Sequence, residues 1–168
     1  MTFENTILSI LTWLPLVGAA VLMVTPRAAV NAIRWMALIV TLIVFVLSLA
    51  LWQSFDPSNP GFQFVVNVPW IGDNIGYRVG VDGISVLFVV LSALLMPAAV
   101  LSSWGSVQER VKEYMIVFLI LETLMIGVFT TLDLAMFYVF FEGTLLPMFL
   151  IIGIWGGAAR IQASYKFF

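Results

Sequence analysis

The chain has 168 residues, 62% of them hydrophobic and 10% charged, with a mean hydropathy of +1.12. A single soluble domain of this length leaves about a third of its surface wet and cannot absorb so much apolar area. Cys and His are absent, which excludes disulfides, thiolate-held iron–sulfur clusters, histidine-ligated haem and ordinary zinc sites, and a net charge of −2 without a basic block excludes nucleic acid as a partner.

A helix needs about 20 apolar residues to cross the hydrocarbon. In chain order, five stretches meet that requirement: 6–24, 34–52, 79–104, 114–131 and 133–157. The first is read as a retained span and not a signal peptide. Glu4 is the only charge before it, and no small-residue cleavage pattern follows at Met23-Val24-Thr25-Pro26. The connection between spans two and three is about 26 residues, longer than a structureless loop usually runs. It opens on the turn residues Asp56-Pro57-Ser58-Asn59-Pro60-Gly61. Phe62–Val68 partly alternates apolar and polar residues, Gly72-Asp73-Asn74 forms a second turn, and Ile75–Val79 returns, which predicts an extracytoplasmic β-hairpin on the membrane surface. The fold class is therefore an all-α polytopic helix bundle of five spans with that hairpin added. The last residues, Arg160–Phe168, read as the opening turns of a sixth helix, so the sequence is expected to be the first part of a larger bundle, with 1–168 a single membrane domain.

Basic residues orient the spans. Arg27, Arg34, Arg110, Lys112, Arg160 and Lys166 fall on one side and Arg78 alone on the other, which makes the six-residue side cytoplasmic and the N-terminus extracytoplasmic. Asp82 and Asp133 lie at span ends, where Asp suits a turn or the first turn of a helix, and both are read as caps.

Glu122 and Glu142 stand out because each lies near the middle of an apolar run. An ionised carboxylate facing lipid there costs about 2.5 kcal/mol or more, so such a residue faces a bundle interior or water and is a functional candidate by default. Each is ten residues from Leu132, at the tip of the turn between spans four and five. At 1.5 Å per residue both then sit about 15 Å from that turn, and two carboxyls at one depth could share or pass a proton if their faces match. Burial disfavours the ionised form, as a proton-loading group requires. The competing reading is a protonated Glu that hydrogen-bonds a neighbouring helix as packing glue. Glu142 has the stronger surroundings: Pro147 has no N–H, so the carbonyl of Gly143 loses its helical partner beside it. Pro15 and Pro97 kink spans without a buried charge nearby and are read as packing features. Gly153, Gly156 and Gly157 permit close helix approach.

The segment Phe137-Tyr138-Val139-Phe140-Phe141-Glu142-Gly143-Thr144-Leu145-Leu146-Pro147-Met148, with Gly153-Ile154-Trp155-Gly156-Gly157 after it, resembles the fifth-helix signature of the antiporter-like membrane subunits of respiratory complex I. Val81-Asp82-Gly83-Ile84-Ser85, Ser103-Trp104 and Tyr165-Lys166-Phe167-Phe168 fit the same family. The resemblance implies a fourteen-helix subunit with inverted repeats and broken helices, moving protons in a bacterial inner membrane while quinone is reduced elsewhere in the complex. It makes Glu142 the proton-translocating residue; Glu122 is a possible relay on its mid-span position alone, not on the resemblance. It also implies that NADH, FMN, iron–sulfur clusters and quinone are bound by partner subunits, with no cofactor or metal in this chain, where no Gly-rich dinucleotide turn occurs. The expected partners are other membrane subunits of complex I and the lipid bilayer. A multisubunit sodium/proton antiporter shares the Glu-to-Pro block and is the alternative; a structural membrane scaffold is the third reading.

Overall fold

The computed structural model describes residues 3–71 and 75–168. Among them are six helices and one two-stranded sheet: α1 (Phe3–Val24), α2 (Val30–Ser54), β1 (Gln63–Ile71), β2 (Ile75–Val81), α3 (Ser85–Ser106), α4 (Val111–Thr130), α5 (Leu134–Trp155) and α6 (Arg160–Phe167). Five of the helices are long and apolar enough to cross a membrane. The expected turn at 72–74 lies outside the described residues.

The start of the third span differs from the sequence reading in kind and not only by a turn of helix. Val79–Val81, taken as the start of the third span, belongs to β2, and the helix begins at Ser85. The apolar run there is continuous, but Val79 pairs with Val66 and Val81 with Gln63 across an antiparallel ladder. Asp82 then ends the strand. Its Oδ1 accepts the Ile84 and Ser85 N–H groups at 3.1 and 2.7 Å, and Ser85 Oγ accepts the Asp82 N–H at 2.8 Å. That reciprocal pairing satisfies donors that a helix start leaves open. These bonds hold the Asp82 carboxyl below the usual range, led by the Ser85 backbone N–H.

The hairpin does not stand free. Its β1 strand packs on α1, and Tyr77 donates from its hydroxyl to Ser9 Oγ at 3.3 Å. Phe64 adopts φ +58°, inside the register shift between Gln63 and Val66, where an extra residue bends the strand. On its other edge β2 receives the α4–α5 turn: Leu132 N–H donates to the Arg78 carbonyl at 2.7 Å, and Val79 bridges Thr131. Asp133 closes this corner. Its Oδ1 accepts the Ala135 and Met136 N–H groups at 2.9 and 3.2 Å, and its Oδ2 accepts the Gly76 N–H at 3.3 Å. Asp82 and Asp133 are thus caps, as read.

α4 is the hub of the bundle, in contact with α1, α2, α3 and α5. Buried side chains form two clusters. One, near the hairpin, contains Leu8, Leu11, Val44, Val89 and Ile126; the other, toward the opposite end, contains Ala19, Leu38, Val100 and Leu119. Ten residues of α4 are buried against three of α5, so α5 packs on the bundle along a single stripe, Met136, Phe140 and Pro147.

Candidate functional site

The basic residues make specific contacts within the bundle. Arg34, expected to flank its span, is buried one turn inside α2. Its Nη2 donates to the Val107 carbonyl at 2.9 Å and its guanidinium lies 5.9 Å from the Trp104 ring centre. Lys112, at the start of α4, donates to the carbonyls of Met23 and Thr25 at 2.8 Å each. It thereby neutralises the negative end of α1, where carbonyls have no helical partner. Trp155 donates from Nε1 to the Glu109 carbonyl at 2.9 Å, and Arg160 donates to the Ile154 carbonyl at 2.8 Å at the end of α5. Arg27 and Glu113 form an ion pair at 2.8 Å at the surface. Tertiary packing assigns these roles; charge counting along the sequence does not separate them.

The two mid-span carboxyls face opposite ways. α4 and α5 approach closely because Gly127 leaves room for the Phe140 ring, which a Cβ there would overlap, and a Cβ at Gly143 would lie 2.9 Å from Leu124 Cδ2. Leu124 and Gly127 therefore mark the α5-facing side of α4. At about 100° per residue, Glu122 is turned about 140–160° from both. It shares its face instead with Phe129, which stacks on Phe88 of α3 at 5.1 Å, and lies about 60° from Leu119, which touches α1 beside Gly18. Glu122 is fully buried, and no described protein group bonds either carboxyl oxygen.

Glu142 sits about 100–160° around α5 from the stripe of Met136, Phe140, Gly143 and Pro147 that meets the bundle, and it is exposed. Tyr138, one turn earlier on the same face, lines an open groove of about 950 Å³ with Arg78, Leu134 and Val139. The register of the two contacts, 124 with 143 and 127 with 140, places Glu142 across from 125. Glu122 is thus about three residues, roughly 4.5 Å, farther from the turn than Glu142. The condition for direct proton sharing is not met: the faces do not match, and the width of two helices separates the acids.

A second correction concerns the prolines. Counting from the Gly18–Leu119 contact along the antiparallel α1–α4 pair brings Pro15 level with Glu122. Counting from the Phe88–Phe129 stack brings residue 95, inside the Ala93–Pro97 turn, to that same level. Pro15 and Pro97 are both buried. They lie level with a buried carboxyl, a depth that only tertiary register makes legible. Among the described residues no group of three or more acidic side chains is placed to hold a metal ion.

Comparison with known proteins supports a family assignment. The model of NADH-ubiquinone oxidoreductase chain 4, amino terminus, matches residues 14–132, and that of the NADH:quinone oxidoreductase/Mrp antiporter membrane region matches 131–168. The chain is 57% identical to NADH-quinone oxidoreductase subunit M of Rhodobacter capsulatus, over 96% of this chain and 32% of that protein. It is 47% identical to chain 4 of Arabidopsis thaliana, over 92% of this chain and 32% of that protein. It therefore spans about a third of the length of the curated relatives it matches. Its fold resembles a chain of respiratory complex I from Thermus thermophilus, at a TM-score of 0.77 and 28% identity, covering 95% of this chain and 31% of that one. A chain of an archaeal membrane-bound sulfane sulfur reductase has the same fold, at a TM-score of 0.78 and 20% identity, with 96% and 33% coverage.

Proposed function

The chain belongs to the NADH-ubiquinone oxidoreductase chain 4 family, and from that premise we propose that it forms the N-terminal part of a proton-translocating antiporter-like subunit of complex I. Residues 1–168 act as one membrane domain in a bacterial inner membrane, packed against other membrane subunits and lipid. The N-terminus and the hairpin are extracytoplasmic and the Lys- and Arg-rich connections cytoplasmic, on the six-to-one split of basic residues. Partner subunits hold NADH, FMN, the iron–sulfur clusters and quinone, and no redox step takes place here. The antiporter alternative shares the match over 131–168, whereas the match over 14–132 names the oxidoreductase alone.

Glu142 is the proton-carrying residue of this reading. The observation that carries it is placement: a mid-span carboxyl on the side of α5 that the first four spans leave uncovered, one residue from a carbonyl freed by Pro147. There it can face helices of the rest of a longer subunit, pair with a cation on them, and take up a proton when that cation is drawn away. In the complete complex, Glu142→Gln removes ionisation while keeping shape, and should abolish proton uptake coupled to quinone reduction with assembly intact. Glu142→Asp should keep part of the activity. Full pumping by Glu142→Gln would leave the assignment without support. For orientation, Cys at Asn59 should react with an impermeant thiol reagent added outside and Cys at Gln108 should not; the reverse would overturn the topology.

A further inference from the structure

Glu122 is left without a task by the reading above, yet it is the most costly side chain in the bundle. It has zero exposure and two unbonded carboxyl oxygens, and the hydroxyl of Thr123 beside it is also buried and unbonded. Charge cannot be balanced from within the described bundle. The buried Arg34 is committed to the Val107 carbonyl, Lys112 to the end of α1, and no ion pair to Glu122 is formed. A lone carboxylate in that position is prohibitively unfavourable, so the group is held as a neutral carboxylic acid, which needs an acceptor for its proton and a donor for its carbonyl.

The prolines supply the acceptors. Each removes the helical bond of the carbonyl four residues earlier, Leu11 for Pro15 and Ala93 for Pro97. A residue four positions away lies on nearly the same helix face. Pro15, Pro97, Leu11 and Ala93 are all buried, so both turns belong to the interior of the bundle and not to its lipid-facing surface. Tertiary register sets both turns level with Glu122. Further hydroxyls lie in the zone between the two apolar clusters: Thr12 and Thr41 donate to their own helices at 2.8 and 3.0 Å, and their oxygens keep free lone pairs.

We propose that Glu122 and the freed carbonyls of Leu11 and Ala93 form an internal water-binding site, in which a protonated carboxylic acid exchanges its proton with bound water. It is a second proton-holding site within the first four spans, with its back to Glu142. Two unbonded carboxyl oxygens level with two carbonyls that have lost their helical partners are the partner set that a buried water satisfies, since such waters make two to four hydrogen bonds. The inference rests on the reading of the chain as a proton-translocating subunit only for its use; the chemistry of the acid can be read whether or not protons are pumped.

The test is infrared difference spectroscopy on the complete complex in its native membrane. The wild type should show the C=O stretch of a protonated carboxyl that Glu122→Gln removes, that shifts down in D₂O, and that persists in Glu142→Gln. Pro97→Ala and Pro15→Ala, which restore a helical N–H to the carbonyl, should keep this band and move it to higher frequency as hydrogen bonds are lost. No band lost in Glu122→Gln would overturn the proposal, because the group would be ionised. A band indifferent to D₂O, or to both proline variants, would also overturn it, because the site would be dry. Should the band behave as expected while Glu142→Gln pumps normally, the water site stands and the assignment of Glu142 fails.

Discussion

The interior of the α1–α4 bundle and the outer face of α5 each carry one mid-span glutamate, and they treat it in opposite ways. Glu122 is enclosed within the bundle, two of whose helices carry a buried proline, and no described group bonds or pairs with it. Glu142 lies on a helix with three buried residues, on the side turned away from those that hold it to the bundle. The lesson is that a carboxyl's depth in a membrane does not assign its role; the face of the helix does. An enclosed acid can only exchange with what the bundle itself encloses, whereas one on an open face is available to groups beyond it.

The largest way to break this comparison is to separate α5 from α4. Gly127→Leu places a branched side chain where the Phe140 ring lies, and overpacking of this kind costs about 1–3 kcal/mol or more. Little of the complex carrying it should survive solubilisation, as measured on native gels, while Gly157→Ala, which meets nothing nearby, should assemble normally. Arg34→Ala removes a charged donor and leaves the Val107 carbonyl unpaired inside the protein. It should cost about 1.5–3 kcal/mol, read as a lowered Tm of the detergent-solubilised complex.

The comparison is sharpened by cross-linking, for which the natural absence of Cys in this chain gives a clean background. Cys at Leu124 and Gly143 should form a disulfide under mild oxidation, and Cys at Glu122 and Glu142 should not. Efficient joining of the second pair would contradict the opposed faces.

A smaller effect is expected at the corner that fixes the rotation of α5. The Asp133 carboxyl is held below its usual range, first by the Met136 N–H, then by the Gly76 and Ala135 N–H groups and the charge of Arg78. A group with a depressed folded-state pKa stabilises the structure above its ordinary pKa and loses that contribution as pH falls through the folded value. Amide protection at Gly76, Ala135 and Met136 should therefore be constant through neutral and mildly acidic pH and fall only below the ordinary Asp range. In Asp133→Ala protection should be low throughout.

Much of this was legible in the residues. Five spans follow from length and hydropathy, the antiparallel strand pair from partial alternation, and Asp82 and Asp133 from the demands of helix starts. The third boundary was not legible, because Val79–Val81 is as apolar as a span and only pairing with Gln63 and Val66 makes it a strand. Nor was the level that Glu122 shares with Pro15 and Pro97, which are far apart in sequence and brought to one depth only by helix register. Arg34 and Lys112 count equally in a tally of basic residues along the sequence, yet one is buried against Val107 and the other caps α1.

The most direct test compares two variants in one preparation: proton uptake per quinone reduced, in membrane vesicles carrying complexes with either Glu142→Gln or Glu122→Gln and matched for assembly. Coupled uptake should vanish in the first and be largely kept in the second, whose amide preserves the hydrogen bonds of the internal site. Equal loss in both would mean that the two acids work as one unit, and would contradict the separation on which this account depends.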